Sequence, residues 1–498
     1  MAELVKHPYR YFPYELELAR REVKALLPKA AVISETPRAL SVRGELDSEL
    51  ASRLSYFAGV SDGATYIPTL QARLERTNGN ELNRQSTRYS AHGLHEYKGK
   101  FNPQIVRAIL NVLQIPAGSN ILDPFCGSGT SLLECVHLGM NAVGTDINPL
   151  AVFIANAKLA AVSVSAETLR DGLAEIAKNA KKVKPPKKGR DLARESYLLA
   201  WFTPEIYADI ERLRLSIENL GGPASSTFLA VASNLLRDYS LQDPLDLRIR
   251  RRKSPLPQKP LIDAFNESAK QLVDKLEYAH RVVAYKPPSC RAVLADCRET
   301  TAEALEVAEQ FHCAITSPPY ATALPYIDTQ RLSLVWLGLV SPSQVLPLEA
   351  TLVGSREVRG KQTKRVLLEQ LLDNTADLPE EQASYCRTLH LALDGNDGFR
   401  RQATPLLLYR YFANMARVFS AVKPLMRNGA PFALIVGGNH TVLGGKRFDI
   451  DTPRHLAELA KSRGWSLEEI LPLQTYQRYG YHMENAVTAE AMVILRQR

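Results

Sequence analysis

The sequence has little cysteine and no long apolar run. Its 498 residues contain six cysteines, which are scattered and include no Cys-x-x-Cys pair. This argues against a zinc ribbon and a disulfide scaffold, and it favours a reducing cytoplasm as the setting. No run of about 18 apolar residues occurs, so the sequence predicts no membrane-spanning helix. The first 21 residues are charged and aromatic, unlike the apolar core of a signal peptide.

Charge is present in unequal amounts. Lys and Arg number 62 against 53 Asp and Glu, which gives a formal net charge of +9. A basic protein favours an anionic partner, and nucleic acid is one such partner. The length suffices for roughly three domains of about 150 residues each.

A glycine-containing loop between two predicted strands is one of two informative stretches. Strand 120–123 is followed by the loop 124–130, a helix at 131–138 and a strand at 142–146. Gly127 and Gly129 let the backbone approach a ligand at the start of a helix. Asp146 ends the second strand, where a carboxylate can bind two ribose hydroxyls. The loop does not match the GxGxxG pattern, and it lacks the lysine of a P-loop.

The other informative stretch follows the predicted strand 313–316. Two prolines stop that strand and leave a rigid Ser317-Pro318-Pro319-Tyr320 turn at its end. Ligands of open α/β sheets bind at the carboxyl ends of strands. A small acceptor, fixed carbonyl groups and an aromatic ring suit a planar group that carries an NH₂.

Both stretches resemble one family. Residues 123–130 are similar to the motif that holds S-adenosylmethionine in amino-methylating DNA methyltransferases, and residues 316–320 resemble the catalytic motif of that family in its Ser-Pro-Pro-Tyr form. Residues 97–103 resemble the region beside the methionine end of the cofactor. Asp296 resembles the acid that accepts the adenine NH₂, and residues 331–338 resemble the helix after the catalytic loop.

The resemblance implies an α/β fold: a Rossmann-like class I methyltransferase sheet of about seven strands, with a small N-terminal α+β module and a mainly helical insertion. It implies S-adenosylmethionine as cofactor and Ser317, Pro318, Pro319 and Tyr320 as catalytic residues. The implied cofactor-binding residues are Lys100, Phe101, Asp123, Phe125, Cys126, Gly127, Gly129, Thr130, Asp146, Ile147, Asp296 and Cys297.

The chemistry of an exocyclic amine needs positioning and fixed dipoles and no covalent intermediate. Ser317 and the Pro318 carbonyl would accept hydrogen bonds from the amine, and Tyr320 would stack on a flipped base. Methylation at cytosine C5 needs a thiolate, whereas Cys126 and Cys313 are expected to pack in the core. The serine form resembles the cytosine-N4 group most, with adenine N6 as the alternative.

The resemblance and the element pattern together divide the chain into six segments. These are 1–85, an accessory α+β module; 86–160, the cofactor-binding half of the core; 161–285, a mainly helical insertion and candidate target-recognition region; 286–344, the catalytic half; 345–400, a charged insertion that competes for DNA contact; and 401–498, the rest of the core sheet. The basic run Arg248, Arg250, Arg251, Arg252 and Lys253 is the candidate for contacting phosphates or guanine edges.

Double-stranded DNA is the expected partner, with a cognate restriction or defence nuclease as a possible associate and no membrane. The N-terminal module also resembles that of tRNA guanine-N2 methyltransferases, which leaves RNA as an alternative substrate. A nucleic-acid-binding protein that no longer catalyses is a further alternative. Tyr476, Tyr479, Tyr481 and His482 form a late aromatic cluster, for which core packing and a base pocket are both open.

Overall fold

The structure of the protein is a computed structural model. It describes residues 1–75, 85–180, 182–183, 191–246, 248–283, 289–321, 327–358, 360–474 and 489–498. The aromatic cluster at 476–482 lies outside these residues, and so does the segment that contains Pro185-Pro186. Among the described helices, none is long and apolar enough to cross a membrane alone. One pair bent by 116°, residues 149–163 and 166–179, meets the length and composition of a span together.

The N-terminal module is a five-stranded antiparallel sheet with helices on one face. Its elements are β1 (Ala2–Lys6), α1 (Pro13–Leu26), β2 (Ala30–Glu35), β3 (Ala39–Gly44), α2 (Ser48–Ser52), β4 (Phe57–Ser61), β5 (Tyr66–Pro68) and α3 (Leu70–Glu75). The strands lie in the order β2-β3-β1-β4-β5. The apolar spacing of residues 14–28 predicts a helix and residues 39–43 are typical of a strand, and both elements are present. The sequence also predicts a helix from Ser48 to Phe57, which is wrong in extent, because Phe57 pairs with Lys6 of β1 and is buried there.

The first half of the core alternates strands and helices. It contains a 3₁₀ turn (Ser90–Gly93), α4 (Pro103–Val112), β6 (Asn120–Asp123), α5 (Thr130–His137), β7 (Asn141–Asp146) and α6 (Pro149–Ser163). The structure confirms the predicted strands at 120–123 and 142–146 and the predicted helix at 131–138 to within one residue at each end. Asn102 caps α4, since its side chain accepts the N–H groups of Gln104 and Ile105.

The first insertion is helical, as predicted. It consists of α7 (Ala166–Asn179), α8 (Leu192–Leu199), α9 (Pro204–Glu218), α10 (Gly222–Leu235) and α11 (Leu261–Val282). The catalytic half follows with β8 (Cys290–Leu294), β9 (Cys313–Thr316), a 3₁₀ turn (Ile327–Thr329) and α12 (Arg331–Trp336). The charged second insertion contains a 3₁₀ turn (Pro342–Gln344), α13 (Val345–Thr351), α14 (Lys361–Asp373) and α15 (Glu380–Leu391).

The C-terminal part completes the sheet. It contains α16 (Phe399–Val422), a 3₁₀ turn (Lys423–Leu425), β10 (Pro431–Gly437), a hairpin of β11 (Asn439–Leu443) and β12 (Lys446–Ile450), α17 (Thr452–Ser462), β13 (Trp465–Gln474) and β14 (Ala489–Gln497). The hairpin was not predicted. The sequence predicts a helix from Leu406 to Val422, whereas α16 begins seven residues earlier and contains Pro405.

Seven strands form the central sheet in the order β13-β14-β10-β9-β6-β7-β8. The strands β10, β9, β6, β7 and β8 run parallel, and β14 is antiparallel to both of its neighbours. The carboxyl ends of the parallel strands therefore share one edge with the beginning of β14. Because loops at that edge converge, side chains from distant parts of the sequence meet there.

Helices cover both faces of the sheet. One face packs against α15, α16 and α17, and the other packs against α4, α5 and the N-terminal helix α1. The guanidinium of Arg21 on α1 binds both carboxylate oxygens of Glu469 on β13, at 2.7 and 2.8 Å. The N-terminal module thus shares an apolar core and a paired charge with the central sheet.

Candidate active site

A cavity of about 310 Å³ opens at the carboxyl edge of the central sheet. The loops after β6, β7, β8 and β9 contribute to its wall, together with the segment before α4 and residues 351–353. Most of the predicted site residues line it: Lys100, Phe101, Phe125, Gly127, Asp146, Ile147, Asp296, Cys297, Ser317, Pro318, Pro319 and Tyr320. The two sequence motifs, 190 residues apart, therefore share one cavity.

A smaller recess adjoins the cavity beneath the glycine-containing loop, and Asp123, Cys126 and Thr130 line it. The hydroxyl oxygen of Thr130 is buried without a hydrogen-bond partner. A buried polar atom of this kind is costly unless a partner arrives. It therefore supports a polar ligand beside the start of α5.

Gly127 and Gly129 have different functions in the loop. Gly127 has a φ of 49° and lines both the cavity and the recess. Gly129 lines neither, contrary to its predicted contact with a ligand. It has a φ of 74°, and a Cβ there would lie 2.7 Å from the Cβ of Ala155 on α6. Gly129 is therefore needed for the close packing of the loop on α6.

Asp146 at the end of β7 is preorganised by the backbone. Its two carboxylate oxygens accept the N–H groups of Gly127, at 3.0 Å, and of Asn148, at 2.8 Å. Burial raises the pKa of Asp146 to about 6, although these N–H groups oppose the shift. Each oxygen keeps a lone pair for a further donor, as binding of a vicinal diol requires.

Asp123 at the end of β6 holds the glycine-containing loop in place through hydrogen bonds to three different elements. Its carboxylate accepts hydrogen bonds from Thr316 Oγ1 on β9, at 2.7 Å, from the hydroxyl of Ser131 on α5, and from the N–H of Phe125, at 3.1 Å. Burial raises its pKa to about 6 against these hydrogen bonds. One carboxylate thus connects the cofactor loop to the strand that carries the Ser-Pro-Pro-Tyr turn.

Asp296 lies two residues beyond β8 and is held by Arg298. Both oxygens of Asp296 accept from that guanidinium at 2.6–3.0 Å. Partial burial favours the neutral acid, but the hydrogen bonds and charge of Arg298 hold the pKa of Asp296 below its usual value. Arg298 also donates to the carbonyl of Thr351 and to Asn414 Oδ1. The acid is therefore ionised and connected to the second insertion.

A buried network fixes the segment before α4. Glu134 on α5 has its Oε1 within 2.8–2.9 Å of Tyr89 Oη, His92 Nε2 and His137 Nδ1, while its Oε2 accepts from Arg107. Burial favours a neutral Glu134, but Arg107 and the imidazoles hold its pKa well below the usual range. The ligand atoms are close enough to hold a cation, but each is already paired within the network.

Lys100, in that segment, does not present a free charge to the cavity. Its ammonium donates to the carbonyls of Thr87, at 2.8 Å, and His92, at 3.0 Å. Burial and the nearby charge of Arg88 lower its pKa to about 8. Its aliphatic stem and the ring of Phe101 line the cavity, so both residues shape the wall.

The Ser-Pro-Pro-Tyr turn begins directly after β9. The hydroxyl of Ser317 donates to the carbonyl of Ile435 on β10, at 3.4 Å. With its hydrogen directed away, the oxygen keeps lone pairs that can accept from an amine. Tyr320 donates its hydroxyl to the carboxylate of Glu490. The turn is therefore held from both of the strands that follow it in the sheet.

Five of the six cysteines are buried thiols, as predicted for Cys126 and Cys313, and Cys290 is partly exposed. Burial raises the pKa of Cys313 to about 12 and that of Cys126 well above its usual value. Cys297 lines the cavity and has its pKa raised by burial in the same way. A thiolate is the reactive form of cysteine. These thiols are therefore unsuited to the nucleophilic attack that ring-carbon methylation needs.

Several residues of the site had no sequence signal. Thr351, Leu352 and Val353 of the second insertion line the cavity. A Cβ on Gly354, which has a φ of 77°, would lie 2.7 Å from the carbonyl oxygen of Tyr320. Glu490 at the start of β14 also lines the cavity. The sequence shows only a glycine at position 354 within a charged stretch, and its positive φ and its contact with Tyr320 are seen only in the structure.

The basic run after α10 is partly committed to structure. Arg252 donates to the carbonyls of Asp238, at 2.6 Å, and Ser240, at 3.0 Å. The guanidinium carbon of Arg251 lies 4.5 Å from the centre of the Trp201 ring. These two side chains fix the loop against the helical insertion.

The remaining basic side chains of the run point to solvent. Arg250 pairs with Asp246 at 3.0 Å and keeps 61% of its side chain exposed. Arg248 and Lys253 are also exposed. Exposed side chains of this kind can contact a polyanion, and Arg250 would then share its guanidinium with Asp246 or leave it.

Arg331 at the start of α12 connects this loop to the catalytic half. Its buried guanidinium lies 3.8 Å from the ring centre of Trp201, donates to Tyr197 Oη at 2.7 Å and donates to Gln242 Oε1 at 3.1 Å. Gln242 in turn donates to the carbonyl of Asp328. The basic loop is thus fixed relative to the segment that follows the Ser-Pro-Pro-Tyr turn.

Comparison with known proteins agrees with this arrangement. A family model described as DNA methylase, of the N6/N4 type, matches residues 56–157. The type II methyltransferase M.AvaI from Nostoc sp. (strain PCC 7120) is 24% identical over 411 residues, which are 76% of this chain and 80% of that protein. M.MjaII from Methanocaldococcus jannaschii is 48% identical over 68 residues, 14% of this chain and 13% of that protein.

A third relative has a different substrate in its name. A tRNA (guanine(10)-N2)-dimethyltransferase from Methanothermobacter thermautotrophicus is 42% identical over 52 residues, 10% of this chain and 16% of that protein. The matches to this relative and to M.MjaII span much less than two thirds of either protein.

The sheet order, its antiparallel β14 and the cavity at the carboxyl edge define a class I methyltransferase whose cofactor is S-adenosylmethionine. The cavity fits this cofactor, since it offers a carboxylate whose two oxygens each keep a lone pair, a second ionised acid and, in the adjoining recess, a buried hydroxyl without a hydrogen-bond partner beside the glycine-containing loop. These matches support an amino-methylating DNA methyltransferase of the N4/N6 family.

Proposed function

We propose that the protein transfers a methyl group to the exocyclic amine of a flipped base in double-stranded DNA, with cytosine N4 as the favoured target. The observation that carries this proposal is the shared cavity, in which Ser317 and Tyr320 face the residues of the glycine loop. S-adenosylmethionine, when bound, supplies an electrophilic methyl group. Asp146 and Asp296 would hold its ribose and adenine, and Thr130 and the loop would hold the rest.

The chain's own residues would orient the amine. Ser317 Oγ and the Pro318 carbonyl would accept its N–H groups, which favours a tetrahedral nitrogen with an available lone pair. Tyr320 would stack on the face of the base. Positioning and fixed dipoles of this kind suffice for an amine, which needs no covalent intermediate.

DNA would approach along the exposed side of the basic loop. Arg248, Arg250 and Lys253 would contact phosphates, while Arg251 and Arg252 hold the loop in place. Phosphate contacts of this kind place a protein on a duplex without reading its sequence. A cognate restriction or defence nuclease would be a separate protein that the methylation protects against.

The choice of cytosine depends on Ser317, because the Ser-Pro-Pro-Tyr form resembles the cytosine-N4 group most. Adenine N6 is the alternative within the same family. Guanine N2 of tRNA is a second candidate, favoured by the match to a tRNA dimethyltransferase. The family model described as DNA methylase and the 411-residue extent of the match to a type II methyltransferase favour DNA.

The test is transfer of a tritiated methyl group to unmethylated plasmid DNA and, in parallel, to unmodified tRNA. Nucleosides from the digested product are then identified by mass spectrometry. We expect N4-methylcytosine from DNA, and Ser317→Ala should lower transfer about tenfold or more while leaving cofactor affinity unchanged. N6-methyladenine would move the target to adenine, and N2-methylguanine in tRNA alone would replace the DNA proposal. Full activity in Ser317→Ala would remove its assigned role.

A further inference from the structure

Glu490 is an acid in the candidate active site that belongs to neither sequence motif. It is the second residue of β14, and in the sheet it lies opposite Gly437 of β10 and Leu473 of β13. Since β14 is antiparallel to its neighbours, its first residues lie at the carboxyl edge of the parallel strands. Glu490 therefore lines the same cavity as Ser317.

The carboxylate of Glu490 accepts a hydrogen bond from the hydroxyl of Tyr320. The backbone of Tyr320 is confined at its other end. Gly354 packs so closely on the Tyr320 carbonyl that a Cβ would lie 2.7 Å from its oxygen. The side chain of Asn439 donates to the carbonyl of the next residue, Ala321, at 3.0 Å. The aromatic ring is thus held between a fixed backbone and a fixed acceptor.

Charge distinguishes Glu490 from the other acids of the cavity. Asp146 binds two backbone N–H groups, and Asp296 binds the guanidinium of Arg298. The hydrogen bond of Glu490 to Tyr320 is made to a neutral hydroxyl, and a carboxylate accepts such a bond strongly. A tyrosine has two side-chain torsions, so a strong bond at the hydroxyl and a confined backbone leave the ring one orientation.

We propose that Glu490 is a positioning residue for Tyr320, which it holds in the orientation that stacks on the target base. This inference rests on the proposed function, since it assigns a task within methyl transfer to an amine. Glu490 acts through the hydroxyl of Tyr320, so any acceptor of similar length at position 490 should preserve the task, and a side chain without an acceptor should not.

The test compares the full-length protein with Glu490→Gln, Glu490→Leu, Tyr320→Phe and the double variant Tyr320→Phe/Glu490→Leu. Single-turnover methyl transfer to unmethylated plasmid DNA gives the rate of the chemical step. Calorimetry with S-adenosylhomocysteine gives cofactor-site affinity and shows that each variant is folded. Glutamine is the matched control, because its amide oxygen can still accept the Tyr320 hydroxyl.

We expect Glu490→Leu and Tyr320→Phe each to lower the single-turnover rate by about tenfold to about a hundredfold, the range for loss of a hydrogen bond to a charged group. The double variant should be no slower than either single variant, since both remove the same contact. Glu490→Gln should lie between the wild type and Glu490→Leu, with a loss of about threefold to fivefold, because its neutral amide oxygen accepts the Tyr320 hydroxyl more weakly than a carboxylate does. Cofactor-site affinity should not change.

The inference is overturned if Glu490→Leu matches the wild type, if the double variant shows multiplied losses, or if glutamine is as slow as leucine. If Glu490→Leu does not fold, Tyr320→Phe and Glu490→Gln still decide the case, because each leaves the volume of the side chain nearly unchanged. A wild-type protein that methylates neither DNA nor tRNA would refute the proposed function itself and this inference with it.

Discussion

The affinity for the cofactor should depend on pH through Asp146, and the change Asp146→Asn should remove that dependence. Asp146 is buried, and its two oxygens accept the N–H groups of Gly127 and Asn148. In the proposed site, ribose hydroxyls would donate to its remaining lone pairs, so the ionised form is the one expected to bind. An asparagine keeps the shape but places an NH₂ against one of the two backbone N–H donors.

The expected magnitude follows from the pKa. Burial raises the pKa of Asp146 to about 6 in the free protein. Above that pH the carboxylate is ready to bind, and below it a proton must first be released. Affinity should therefore be constant from about pH 7 upward and should fall about tenfold for each pH unit below 6, or about 1.4 kcal/mol per unit. At neutral pH, loss of the charge-assisted bonds in Asp146→Asn should cost about 1.5–3 kcal/mol.

Isothermal titration calorimetry with S-adenosylhomocysteine from pH 5 to 8 measures this directly, because no methyl group is transferred. Asp123 has a pKa of about 6 as well, so a residual slope in Asp146→Asn would assign the dependence to Asp123. Asp296 does not interfere, since Arg298 holds its pKa below the usual value. A wild-type affinity that is flat between pH 5 and 8, or an Asp146→Asn variant that binds as the wild type does, would refute the reasoning.

Two further predictions concern the second insertion and the N-terminal module. Gly354→Ala should lower methyl transfer about tenfold or more at unchanged cofactor affinity, since its Cβ would lie 2.7 Å from the Tyr320 carbonyl oxygen. Gly360→Ala is the matched control, because Gly360 has a similar φ of 83° and a Cβ there would have no described atom within 4 Å. Equal rates in both variants would contradict the close-packing argument. Burial raises the pKa of Glu22 to about 7, although hydrogen bonds from Asn111 and the backbone oppose the shift. The protonated acid is therefore favoured in the folded state, and the stability that it contributes to the protein is lost as the pH rises through about 7. Between pH 6 and pH 8, urea unfolding should show that the wild type loses about 1.4 kcal/mol more free energy of unfolding than Glu22→Gln does, since Glu349, whose pKa is also about 7, titrates in both proteins. The same pH dependence in both would exclude Glu22 as a cause.

The parts of the site that the local element pattern predicted lie at or directly after the ends of parallel strands, whereas Lys100 and Phe101 were expected only from the family resemblance. In each case a short apolar run, a loop and a helix follow one another within about 25 residues, which is a local pattern. Asp146 and Ser317 were found in this way, and Gly127 was found from its loop. Asp296 was found only by resemblance, because β8 ends two residues before it.

Pairing between distant segments decided what the local pattern could not. The aromatic run near Phe57 has helical spacing, yet it forms β4 because β1 offers it a partner. Arg251 and Arg252 belong to an obviously basic run, yet Trp201 and two backbone carbonyls engage them. The sequence gives the charge of a side chain, whereas tertiary packing decides which group that side chain contacts.

The sequence by itself determined the class of fold, the cofactor loop and the Ser-Pro-Pro-Tyr turn, because each depends on residues close together in the chain. The tertiary structure alone decided that Gly354 and Glu490 stand against the turn. Gly354 belongs to a charged insertion that packs on the turn, and Glu490 lies beside the turn because β14 runs antiparallel and so begins where its neighbours end. Local periodicity cannot predict such a contact, since it forms only when the last strand pairs with the sheet.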